Sequence, residues 1–74
     1  MNMAPDAARM TFEAIAEKMA TAAAYADTGR QFAEIGDARG LAYATRCASA
    51  ALLEAASLVE EVKPAPRPKP GEAA

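Results

Sequence analysis

The chain reads as an all-α protein: an antiparallel two-helix hairpin that assembles into a four-helix bundle or larger helical oligomer. Three observations lead there. Two stretches carry apolar residues at unbroken 4-3 spacing, the mark of one stripe along one helix face. A single break, Gly36-Asp37, separates them. The chain has 74 residues, one Cys and no His, so neither an intramolecular disulfide nor a histidine metal cage is expected to support so small a body. Two helices alone leave each other half-covered, and self-association is the remaining source of burial.

Residues 1–5 are expected to fray. Pro5-Asp6 then opens helix 1: Pro suits the first turn, and Asp complements the positive end of the helix dipole. Helix 1 is expected over residues 6–35, with Ala8, Phe12, Ile15, Met19, Ala22, Ala26, Gly29 and Ala33 on its stripe. Thr28-Gly29-Arg30-Gln31 has capping-box form, so a break there competes with a continuous helix. The stripe running through Gly29 favours continuity. Gly36 suits the residue that closes a helix, and Asp37 suits the cap that opens one. A turn at 36–37 therefore makes an αα-hairpin. Helix 2 is expected over residues 38–62, with Leu41, Thr45, Ala48, Leu52, Ala55, Val59 and Val62 on its stripe, and Pro64 ends it.

A turn centred at 36–37 sets residue i opposite residue 73 − i. Met19 then meets Ala55, Ala22 meets Leu52, and Ala26 meets Ala48. Large opposes small through the middle. At the open end, Ile15 meets Val59 and Phe12 meets Val62. The expected hairpin seam is therefore Phe12, Ile15, Met19, Ala22, Ala26, Gly29, Leu41, Ala48, Leu52, Ala55, Val59 and Val62. A second apolar set lies beside it: Tyr25 and Phe32 on helix 1, and Tyr43, Cys47, Ala51 and Leu58 on helix 2. One partner helix cannot cover both sets. The second is the expected face for another copy or another protein.

Hydrophobic residues make up 53% of the chain, but Ala dominates and large side chains are few: two Phe, two Tyr and no Trp. Strong helix formation with a thin core follows. High Ala and Pro with few Lys resembles the product of a GC-rich bacterial or phage gene. Net charge is −2, unevenly spread. Residues 1–62 hold five basic residues against nine acidic; residues 63–74 hold Lys63, Arg67 and Lys69 against Glu72. An acidic body does not suit a phosphate backbone. No apolar run approaches the ~18–20 residues that span a membrane, and Met1–Asp6 shows no basic, then apolar, secretory pattern. The lone thiol fits a reducing cytoplasm.

The chemistry of catalysis is thin. Without His, triads and dyads that need it are excluded. Cys47 sits mid-helix among Thr45, Ala48 and Ala51 and reads as a small buried hydrophobe. Glu13 and Glu17 are one turn apart, but the Glu-x-x-His of di-iron hairpins is missing. Gly36-Asp37-Ala38-Arg39-Gly40 follows no strand and matches no phosphate-binding loop. No catalytic, metal or cofactor residue is expected.

Ile35-Gly36-Asp37-Ala38-Arg39-Gly40-Leu41-Ala42-Tyr43-Ala44 resembles the inter-helix segment of tetratricopeptide-type repeats, where Gly-Asp opens a helix bearing small residues and a Tyr. It covers ten residues, with no second copy at a 34-residue period. The resemblance implies peptide or protein binding. The tail places Pro at 64, 66, 68 and 70, which favours extended polyproline II geometry. Over six residues it looks like the X-Pro spacers of bacterial periplasm-spanning energy transducers. Lys63, Arg67 and Lys69 are its candidate contacts to an acidic or phosphate surface.

The function expected from these features is a non-enzymatic, cytoplasmic protein–protein interaction module: an assembly subunit, adaptor, or small inhibitor or regulator. Its partners are itself and another protein. The first alternative is a nucleic-acid-binding regulator using Arg30, Arg39, Arg46 and the basic tail. The second is a tetratricopeptide-like peptide-binding fragment. Alternating prolines cannot join a helix bundle, so deleting residues 64–74 should leave helicity and melting temperature unchanged. Circular dichroism melts of both forms check this; a drop of several degrees would mean that the tail packs on the body.

Overall fold

The computed structural model describes residues 5–64. Two helices, α1 (Pro5–Glu34) and α2 (Ala38–Val59), pack against each other, and there is no strand among the described residues. The readings made for residues 1–4 and for the tail from residue 65 onward, Arg67 and Lys69 included, lie outside the described residues.

Helix α1 begins at Pro5, where fraying was expected, and its first turn holds Asp6. Arg9 pairs with Asp6 at 3.9 Å and with Glu13 at 3.5 Å. The helix continues through Thr28-Gly29 without a break. Gln31 does not complete a capping box there; its amide Nε2 donates to Asp27 Oδ2 at 3.0 Å. Two backbone bonds close α1 as a Schellman motif. The Gly36 N–H donates to the Ala33 carbonyl at 3.1 Å, and the Asp37 N–H to the Phe32 carbonyl at 2.9 Å. Gly36 has φ +73°, the left-handed conformation that this closure needs and that side chains resist.

Asp37 closes one helix and opens the next. Its extended backbone (φ −85°, ψ 91°) turns the chain, and Oδ1 accepts from the Gly40 N–H at 2.9 Å. The α-helical part of α2 ends at Val59, three residues before the expected end at Val62. Residues 60–62 tighten into turns: Glu61 N–H donates to Leu58 O and Val62 N–H to Val59 O, both at 3.0 Å. Pro64 explains the tightening. It brings no N–H for a further helical bond and disfavours helical geometry at Lys63.

The seam between the helices is built of the smallest residues. Ala22, Gly29, Ala44, Ala51 and Ala55 are buried, Ala44 and Ala55 completely. A Cβ placed on Gly29 would lie 3.5 Å from the Ala44 methyl, so the backbones approach closely there. Gly29 with Ala44 sums to 73, and Lys18, whose Nζ lies 3.1 Å from Glu54 Oε2, sums with it to 72. These pairs fix the antiparallel register.

The seam is rotated relative to the expected stripes. Phe12, Met19, Ala26 and Leu52, expected inside it, are exposed. Ile15, Leu41, Ala48, Val59 and Val62 are half-buried along its edges. Ala51, assigned to the outer face, is buried, and Tyr25, Phe32, Cys47 and Leu58 of that set are half-buried. The cause is the abundance of Ala on every side of both helices. The pair settles where small side chains let the backbones come nearest, and bulky ones are left on the flanks.

Two glycines separate these effects. A Cβ on Gly40 would come within 2.5–2.7 Å of the Phe32 ring, which packs against that backbone. Gly40→Ala should therefore destabilise by about 1 kcal/mol or more, through displacement of the ring. Gly29→Ala meets only ordinary contacts and gains helix propensity, so it should stabilise by about 0.5–1 kcal/mol. Denaturant unfolding of both variants measures the opposite signs.

Candidate interaction surface

One flank of the hairpin is apolar from end to end. Phe12, Met19, Ala26 and Ala33 recur every seven residues along α1. Leu41, Thr45, Ala48 and Leu52 continue the surface on α2, with Val59 toward the open end. Phe12 is 57% exposed, Leu52 49% and Met19 44%. The relief differs between the two ends. Toward the turn, the small residues Ala26, Gly29, Ala33 and Ala48 leave a shallow groove of about 320 Å³ between Leu41 and Leu52, rimmed by Tyr25, Arg30, Thr45 and Ser49. A second hollow of about 180 Å³, sharing Ala33 and Leu41, carries it on to Gly36 and Asp37. Toward the open end the large side chains Phe12 and Met19 stand out.

Tyr25 packs against Tyr43 across the hairpin. Their ring centroids are 6.3 Å apart with planes at 78°, the edge-to-face arrangement that aromatic quadrupoles prefer. Cys47 lies one turn beyond Tyr43 on α2. Hydrogen bonding with the Cys47 thiol, followed by the influence of its charge and of Tyr25, holds the Tyr43 hydroxyl above its usual 10.0. Neutral Tyr43 is thus favoured in the folded state. Its contribution to stability is present below the unfolded value and lost as pH rises through the folded one.

The charged groups are mostly closed into local pairs. Arg30 lies 2.9 Å from Asp27 Oδ1 and 2.8 Å from Glu34 Oε2. These bonds, the one to Asp27 first, hold the Arg30 pKa above its ordinary value, and hydrogen bonds from Arg30 and then Gln31 hold the Asp27 carboxyl below the usual carboxylate range. Lys63 pairs with Glu60 at 2.7 Å. Arg39 and Arg46 make no ion pair among the described residues. Of the three arginines considered as phosphate contacts, Arg30 is therefore already engaged.

The Lys18–Glu54 bridge and the seat of Phe32 on Gly40 escaped the sequence reading, although the 73 − i rule contained the signal for both. It places Lys18 opposite residue 55 and Phe32 opposite residue 41, one position from the observed partners. No cluster of three metal-ligating side chains and no helix long and apolar enough to cross a membrane occurs among the described residues. No family model, curated protein or solved structure matches the chain.

The influence of Cys47 on Tyr43 is testable directly. Cys47→Ala should lower the Tyr43 pKa toward 10.0, followed by NMR of the Tyr43 ring carbons as pH is raised. An unchanged titration would remove Cys47 as the cause.

Proposed function

We propose that the protein is a non-enzymatic helical interaction module that self-associates through its apolar flank and acts by contact with another protein. One observation carries this reading: among the described residues no large side chain is fully buried, while Phe12, Met19 and Leu52 stand exposed along one continuous flank. The buried core is four alanines. Each buried methyl contributes on the order of 0.8 kcal/mol, little for holding two long helices together. Covering the flank supplies the missing burial. The absence of His supports a role without acid–base chemistry.

The phosphate-binding reading keeps one supporting observation: Arg39 and Arg46, seven residues apart on α2, make no ion pair among the described residues. Against it stand the engaged Arg30 and the excess of acids over bases in residues 1–62. Binding to polyanions that collapses between low and moderate salt would favour it over protein contact.

Sedimentation equilibrium across a range of concentrations tests the self-association. The expected result is a dimer or larger species, with a melting temperature that rises with concentration. A monomer at tens of micromolar with a concentration-independent melt would contradict it.

A further inference from the structure

The flank is built as two unlike halves. At the open end it presents the bulk of Phe12 and Met19; near the turn it presents the groove floored by Ala26, Gly29, Ala33 and Ala48. The groove's volume of about 320 Å³ is ample for a benzyl side chain. Two copies laid side by side in the same direction would set bulk on bulk. Reversing one copy sets the bulky end of each against the grooved end of the other.

The area is adequate. From Phe12 to Ala33 the flank runs about 30 Å at 1.5 Å per residue, and two helices side by side are about 20 Å wide. The footprint is about 600 Å² on each copy. Two such footprints clear the roughly 1,000 Å² that separates specific interfaces from incidental contacts.

We propose that this flank is the contact between two copies packed antiparallel, with Phe12 of each copy seated in the groove between Ala26, Ala33 and Ala48 of the other. Seating Phe12 there puts the two-fold axis beside Met19 and Leu52. Met19, flexible and polarizable, then packs at the centre, where a symmetric contact must adapt to itself. The assembly is an antiparallel four-helix bundle whose inner layer combines the expected stripe of both copies. This inference rests on the self-association reading and adds to it a face and a direction.

The test uses the full chain with Cys47→Ala and Ile35→Cys, spin-labelled at residue 35 beside the turn. Pulsed dipolar spectroscopy then reads the separation of the two turn ends. Antiparallel packing about an axis near residue 20 puts them about 45 Å apart; parallel packing puts them within about 25 Å. Sedimentation of Phe12→Ala and Leu53→Ala identifies the face, with circular dichroism checking that both stay helical. Phe12→Ala should weaken the dimer at least about tenfold. Leu53→Ala, exposed and outside the groove, should leave it unchanged. A dimer with the short separation overturns the direction, and a dimer weakened by Leu53→Ala but not by Phe12→Ala overturns the face. Both leave self-association standing. A monomer at every concentration overturns that reading as well.

Discussion

Close approach of two backbones over a seam of alanine and glycine shapes everything else in this hairpin. Where Gly29 faces Ala44, only a methyl separates the helices. At that distance the seam has no room for a large side chain, so Phe12, Met19, Tyr43 and Leu52 are displaced to its edges or beyond. The contact gains dispersion between backbones and methyls, each contribution small and their sum set by proximity. It gains little from removing apolar surface from water, because methyl groups carry little. A fold held this way is well defined in register and sparing in core, and it carries its largest apolar residues on the outside.

The turn enforces that geometry with few atoms. Gly36 takes the left-handed conformation, the Asp37 N–H closes α1, and the Asp37 carboxylate receives the Gly40 N–H at the start of α2. Gly40 then lies against the Phe32 ring with no space for a Cβ. The ring thereby covers the turn end of the seam. Lys18 and Glu54 bridge the helices farther out, but Lys18 is only half-buried and Glu54 exposed, and such pairs add mainly to register. At the far end Pro64 stops α2, and among the described residues nothing comparable to Phe32 closes the seam there. That difference leaves the open end bulky and the turn end grooved.

Much of this was legible in the residues and part of it was not. Punctuation by Gly36-Asp37 and Pro64, and the two helical periods, pointed to the hairpin and its register, because turn chemistry and periodicity are local properties. Rotation of each helix about its axis was less legible. It depends on which of several neighbouring rows approaches the partner, and with Ala in every row the hydrophobic pattern is nearly flat. Choosing the rows with the largest side chains selected Phe12, Met19 and Leu52 for the seam, where close packing instead added Ala44 and Ala51 to the expected Ala22 and Ala55. The unused rows form the flank on which association is proposed. The same lack of chemical signal left function unspecified: with no His and only Cys47 as a thiol, what remains to read is surface shape and charge.

Small residues face each other across the seam while large ones flank it. Nuclear Overhauser spectroscopy with labelled alanine methyl groups tests it most directly. A strong cross-peak between the Ala44 methyl and the α-protons of Gly29 is expected, with the methyls of Ala44, Ala51 and Ala55 shielded from a soluble paramagnetic probe. An Ala44 methyl with no neighbour on α1 and full exposure to the probe would contradict it.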